Sequence, residues 1–251
     1  MTQQEYEQLQ STDQMLISNL FNCSSSVPIE LLFLEMGLIP IKQIIQMRRC
    51  LYLHHILQQS EDSVLFKFFM AQLKENNQGD WSYQVLRDLE EFQIKLEIEE
   101  IQNMSNEKYK VILKEAVKRL AFNLLMAKKE GRKSENAKGK HIIYSELKMA
   151  QYLTSENFDA TIEEKKFLFQ CRVDDLELKG NKKWKYENII CNNCDENSIE
   201  TQRHILFCKP LLRSNQILTY IPDYEELFGD DIEAQVYAAR ILKDNYSRRK
   251  P

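Results

Sequence analysis

The chain has 251 residues, 43% of them apolar, 29% charged and 10% aromatic, with a net charge of -4. That is long enough for a real core and ordinary for a globular protein, which excludes collagenous, low-complexity and disulfide-scaffold classes. Glycine and proline are scarce, at 6 and 5, among abundant Leu, Ile, Glu, Lys and Gln, so the chain is expected to be mainly helical.

In chain order, MTQQEYEQLQSTDQ is polar and acidic, unlike a signal or transit peptide. The expectation is an intracellular protein, nuclear or cytoplasmic, whose six cysteines stay reduced. VPIELLFLEMGLIP reads as a helix opened by Pro28 and stopped at Gly37. The surrounding apolar run is broken by Glu30, Glu35, Gly37, Pro40 and Lys42, and does not predict a membrane span. Pro40 opens a long helix with Ile41, Ile44, Ile45, Cys50, Leu51, Leu53, Ile56 and Leu57 in a wide apolar stripe. His54 and His55 read as ordinary residues of it.

DSVLFKFFMAQLKEN is capped by Asp62 or Ser63, with Val64, Leu65, Phe68, Phe69 and Leu73 on its expected buried side. Asp80 caps the next helix, which carries Trp81, Val85, Leu89 and Phe92. From Ser105 a longer helix sets Val111, Ile112, Ala116, Leu120, Leu124 and Leu125 along one face and lysines opposite. EGRKSENAKGK reads as a basic linker. Thr161 and Glu164 form a capping box ahead of KKFLFQCRVDDLEL. Asp230 and Asp231 stand where acids cap DIEAQVYAARILKDNY, and VDD falls within a helical pattern, so neither pair reads as a polymerase-type metal site. The expected organisation is a helical body over 1–129, a linker over 130–140, a helical connector over 141–186, a metal module over 187–215 and a helical tail over 216–251.

Charge is unevenly spread. Residues 1–107 carry 7 Lys/Arg against 16 Asp/Glu, whereas residues 108–148 carry 12 against 4. A strongly basic stretch in an acidic chain points to a polyanion-facing surface. Its candidate contacts are Lys128, Lys129, Arg132, Lys133, Lys138 and Lys140. LKGNKKWKY adds Lys179, Lys182, Lys183 and Lys185 beside Trp184 and Tyr186, a mixture suited to phosphate contact and base stacking.

The most informative stretch is CNNCDENSIETQRHILFCKP, with Cys191-x2-Cys194-x9-His204-x3-Cys208. A C-x2-C turn can aim two sulfurs at one ion, and positions 204 and 208 share a face on a helix that Thr201 can start. KWKYENIIC reads as a short strand leading into the turn. Three thiolates and an imidazole favour one structural zinc per chain, with no coordination position left for catalysis. The fold class expected is therefore mainly α: a multi-helix bundle followed by a small zinc-knuckle module of a short hairpin and a helix. Cys50 and Cys171 lie in apolar patterns and read as core.

Four passages resemble, in order, the C-terminal region of non-LTR (LINE-type) retrotransposon reverse transcriptases. They are PIELLFLEMGLIPIKQIIQMRRCLYLHHIL, DWSYQVLRDLEEFQI, SELKMAQYL with EEKKFLFQCRV, and CNNCDENSIETQRHILFC. The resemblance implies the ligand role for Cys191, Cys194, His204 and Cys208. It also implies a part that helps hold template RNA or target DNA, alongside a polymerase-bearing partner or upstream polypeptide. Nothing in the chain reads as a polymerase centre, so it is not expected to be an enzyme. The alternative is a helical protein-interaction scaffold with a purely structural zinc site.

Overall fold

A computed structural model describes residues 3–131, 142, 144–154, 160–181, 185–213, 223–229 and 231–249. The described residues are mainly helical: α1 (Gln3–Phe21), α2 (Ile29–Met36), α3 (Ile41–Leu57), α4 (Val64–Glu75), α5 (Trp81–Glu91), α6 (Ile98–Gln102), α7 (Asn106–Glu130), α8 (Gln151–Thr154), α9 (Ile162–Arg172), α10 (Gln202–Phe207), α11 (Lys209–Arg213) and α12 (Ile232–Arg248). A 3-10 turn covers Tyr224–Leu227. Among the described residues the only β pairing is an isolated antiparallel bridge between Ile190 and Ile199. No described helix is long and apolar enough to cross a membrane.

The chain forms two units, one of residues 1–10 and 38–127, the other of residues 11–37 and 128–251. The sequence reading placed 11–37 with the N-terminal body; in the structure they group with the C-terminal half. The reason is visible at named contacts inside that unit. Phe21 stacks on Phe169 at 3.9 Å between ring centroids, and the Ser24 amide and hydroxyl both donate to Asp175.

In the first unit, α3, α5 and α7 carry most of the core. Cys50, Leu53, Ile56 and Leu57 meet Val85, Leu89, Phe92, Tyr109, Leu113 and Val117, with Phe69 of α4 and Ile101 of α6 closing the cluster. The polar seam between α3 and α5 is equally specific. Arg49 donates two hydrogen bonds to Asp88, at 2.7 and 2.9 Å, and Gln46 donates to the same carboxylate. His54 is buried; its Nε2–H donates to the Met104 carbonyl while the ring stacks on Tyr109.

Two expected faces are rotated. On α4 only Phe69 is fully buried, whereas Val64 is 82% and Phe68 61% exposed, and Leu65 is exposed as well. On α7 the buried line is Tyr109, Leu113, Ala116, Val117, Ala121 and Leu125, and Val111 and Leu124 face solvent. Both helices have apolar residues on more than one side, so spacing admits more than one stripe and only the neighbours choose.

The second unit is built around α9 and α12. Phe167, Leu168, Phe169 and Cys171 of α9 are buried, as are Val236, Ala238, Ala239, Ile241 and Leu242 of α12. The capping box at Thr161 is present in full. Its Glu164 also accepts from Arg240 of α12; that guanidinium and the Thr161 bonds hold the carboxyl down at about 2. Asp231 caps α12, accepting from the Glu233 and Ala234 amides; Asp230 lies outside the described residues. Asp174 and Asp175 lie beyond the end of α9 rather than within a helix, Asp174 in the left-handed region at φ 54°.

Helix α2 ends at Gly37, whose φ of 63° suits a left-handed C-cap. Residues 148–150 run directly against this end, the Ala150 amide donating to the Glu35 carbonyl. A Cβ on Gly37 would sit 2.2 Å from the Met149 nitrogen and 2.9 Å from the Lys148 Cα. Gly37→Ala is therefore expected to destabilise the fold by about 2 kcal/mol or more, combining left-handed strain with a backbone clash. An unchanged midpoint in a thermal melt would refute this.

Candidate metal centre

Local hydrogen bonding assembles the Cys/His cluster. Around the Ile190–Ile199 bridge, the Cys191 amide donates to the Ser198 carbonyl and the Glu200 amide to the Ile189 carbonyl, both at 2.9 Å. This pairing presents Cys191 at the start of a turn. The Asn193 backbone and side-chain N–H groups then point at the Cys191 sulfur, at 3.4 and 3.5 Å. Asn197, at φ 51°, lets the returning chain reverse. Thr201 caps α10, its hydroxyl accepting from the His204 amide at 3.1 Å, which sets the imidazole one turn into the helix.

Cys208 arrives differently from expectation. It is not on the helix with His204 but caps its end in an extended conformation, φ -62° and ψ 107°. The geometry still converges. The sulfurs of Cys191, Cys194 and Cys208 and a ring nitrogen of His204 all lie within 4.8 Å of one another, and Cys194 Sγ is 3.4 Å from His204 Nε2. A tetrahedral ion held by sulfurs at about 2.3 Å needs edges of about 3.8 Å, so small side-chain adjustments suffice.

The electrostatics suit an ion as well. Burial pushes the Cys208 thiol up to about 12, and the neighbouring Cys191 and Cys194 sulfurs add to this, while the Leu211 amide pulls it back. Burial holds His204 below its ordinary value, so its imidazole stays neutral with a lone pair to donate, although Glu196 and Glu200 oppose this. A buried thiol whose ionisation is opposed by two neighbouring sulfurs, beside a neutral imidazole, belongs to a donor set that a cation would relieve. These four residues could hold a metal ion.

The centre is tied to the rest of its unit by contacts that spacing gives no hint of. Glu200, fully buried, accepts from the Lys179 amide and from Arg249 at the end of α12. Arg249 also donates to the Glu177 carbonyl and lies over the Tyr246 ring, 4.5 Å from its centroid. Asn245 donates to the Ile205 carbonyl, and Gln202 donates to the Cys171 carbonyl, each at 3.0 Å. Gly180 lets the chain at Glu200 come close: its amide donates to the Glu200 carbonyl, and a Cβ there would lie 2.6 Å from that oxygen.

The basic candidates fall into four groups. Arg132, Lys133, Lys138, Lys140, Lys182, Lys183 and Trp184 lie outside the described residues. Lys179 is buried, with its ammonium 3.5 Å from the Ile190 carbonyl. Lys185 is exposed but paired with Glu177, which also accepts from the Tyr186 hydroxyl. Lys128 is exposed, and Lys129 is partly covered, burial lowering its pKa against the opposing charge of Glu130. The basic stretch that starts at Lys108 also includes Lys110, Lys114, Lys118 and Arg119 on the lysine-rich side of α7, ahead of the contacts named individually. All five are exposed. Lys110, Lys114 and Lys118 follow one another at four-residue spacing, opposite the buried line of the same helix.

Comparison of the chain with known protein families, curated proteins and solved structures finds no match.

Proposed function

We propose that this is a nucleic-acid-binding protein of the kind found at the C-terminal end of LINE-type reverse transcriptases, with one structural zinc. The observation that carries the reading is the convergence of Cys191, Cys194, His204 and Cys208 within 4.8 Å, at the end of a helical chain whose passages resemble that family in order. Sulfur and imidazole donors in this number favour zinc. The binding surface is the basic stretch of residues 108–148, its cations meeting phosphates of RNA or DNA. Lys179, being buried, has no part in that surface. The zinc knuckle with its short hairpin keeps the C-terminal unit folded.

The test is direct. Purified chain should carry one zinc, and its affinity for RNA or DNA should fall steeply as salt rises, because cations on phosphates release counterions. Absence of binding to any nucleic acid at low salt would defeat the reading. A second reading, a protein-interaction scaffold, draws on the exposed Val64, Leu65 and Phe68 of α4. It predicts one zinc without salt-dependent nucleic-acid binding.

A further inference from the structure

We infer that α7 is the DNA-contacting helix and that it seats in the major groove of a B-form duplex, while the metal module makes no phosphate contact. The inference rests on the nucleic-acid reading above and assigns it to particular side chains.

Over residues 106–127, α7 packs on the first unit through Tyr109, Leu113, Ala116, Val117 and Ala121, leaving its other side exposed. Lys110, Lys114 and Lys118 form one row along that side, with stems about 6 Å apart. Lys108 and Arg119, separated by three turns, form a second row on the far flank, and exposed Val111 lies between the rows. Among the described residues none of these five cations is in an ion pair, although Glu107 and Glu115 lie on the same helix. The balance of five cations to two acids favours a polyanion.

The distribution of residue types then selects its form. Single-strand sites combine cations with open aromatic stacking platforms, and the two rings of α7 are poor ones, Tyr109 being buried and Phe122 half-buried. Cations on both flanks of one helix match two phosphate rows with the helix between them. A helix about 10–12 Å across fits the B-form major groove, about 12 Å wide, whereas the A-form major groove is too narrow to admit it. The metal module is unsuited to the same task. The tip of its turn exposes Asp195 and Glu196, the latter paired with Lys209.

The experiment titrates the whole zinc-loaded chain against a short labelled DNA duplex, the matching RNA duplex and single strands, across a salt series. A Lys110→Gln, Lys114→Gln, Lys118→Gln chain is compared with its Lys→Arg counterpart. Gln and Lys have similar helix propensity, so the fold should persist, checked by thermal melt. The expected result is tightest binding to duplex DNA. The slope of log affinity against log salt should be shallower in the Gln chain by roughly 0.9 for each phosphate no longer neutralised, up to about 2.7, and restored with Arg. Wild-type binding whose salt slope is unchanged in the Gln chain overturns the assignment to α7 and leaves the broader reading standing. Preference for RNA duplex or single strands overturns the groove assignment. Failure of the wild type to bind anything defeats both readings.

Discussion

A Cys208→Ser chain is expected to lose the capacity to hold a metal at the Cys/His cluster and, with it, the folded state of residues 187–213. Cys208 is 1% exposed, lies between the end of α10 and the start of α11, and brings the third sulfur to the cluster. Serine would remove a thiolate and leave three donors around a buried, polar hole. Structural zinc in small modules supplies on the order of 10 kcal/mol of folding free energy at neutral pH, so little ordered structure should survive its loss locally. The damage should spread to α12, because Asn245 and Arg249 bond to groups that the module positions, the Ile205 carbonyl and Glu200. Chelation of the wild-type chain should reproduce the effect, and added zinc should reverse it. Zinc content, far-UV circular dichroism and a thermal melt with and without chelator measure this. A wild-type melt unmoved by chelator, in protein that carries no metal, would remove the structural role.

The second large effect belongs to Arg172. Its guanidinium is paired with Glu35, and the two side chains are 7% and 0% exposed. The Tyr144 and Tyr152 hydroxyls each donate to Glu35 at 2.8 Å, and Arg172 also donates to the Leu227 carbonyl at 2.9 Å. Burial alone would pull the guanidinium pKa down; Glu35 and the two tyrosines outweigh it and push it above its ordinary value. Burial and Glu35 raise both phenols, so they remain protonated donors. Arg172→Met would strand the Glu35 carboxylate in the core with neutral partners only. Breaking a buried pair from one side costs about 3–5 kcal/mol, whereas removing both charges is often close to neutral. Urea denaturation should show that loss for Arg172→Met and substantial recovery in a Glu35→Leu, Arg172→Met double variant. Equal stability of the single variant and wild type would show that the pair carries no weight.

Much of the local structure was legible in the chain itself. Gly37, Ser63, Thr161 with Glu164, Thr201 and Asp231 all stand at helix ends, as their side chains or backbone freedom require. The metal spacing also carried through to four donors in one place. These features depend on residues a few positions apart, where covalent geometry leaves few choices.

What the tertiary structure alone decided depends on distant partners. Val64, Leu65 and Phe68 have the periodicity of a buried face, and Tyr109 and Leu113 do not stand out from Val111 and Ile112 on spacing. Only the packing of α3 and α5 selects which set goes inside. Glu35 reads as a break in an apolar run until Arg172, 137 residues later, is found beside it. The grouping of residues 11–37 with the C-terminal half and the anchoring of Glu200 by Arg249 are of the same kind. A helix records its own periodicity and caps in its sequence. Which of its faces is buried, and which charge is neutralised there, is settled by surface removed from water against elements far along the chain.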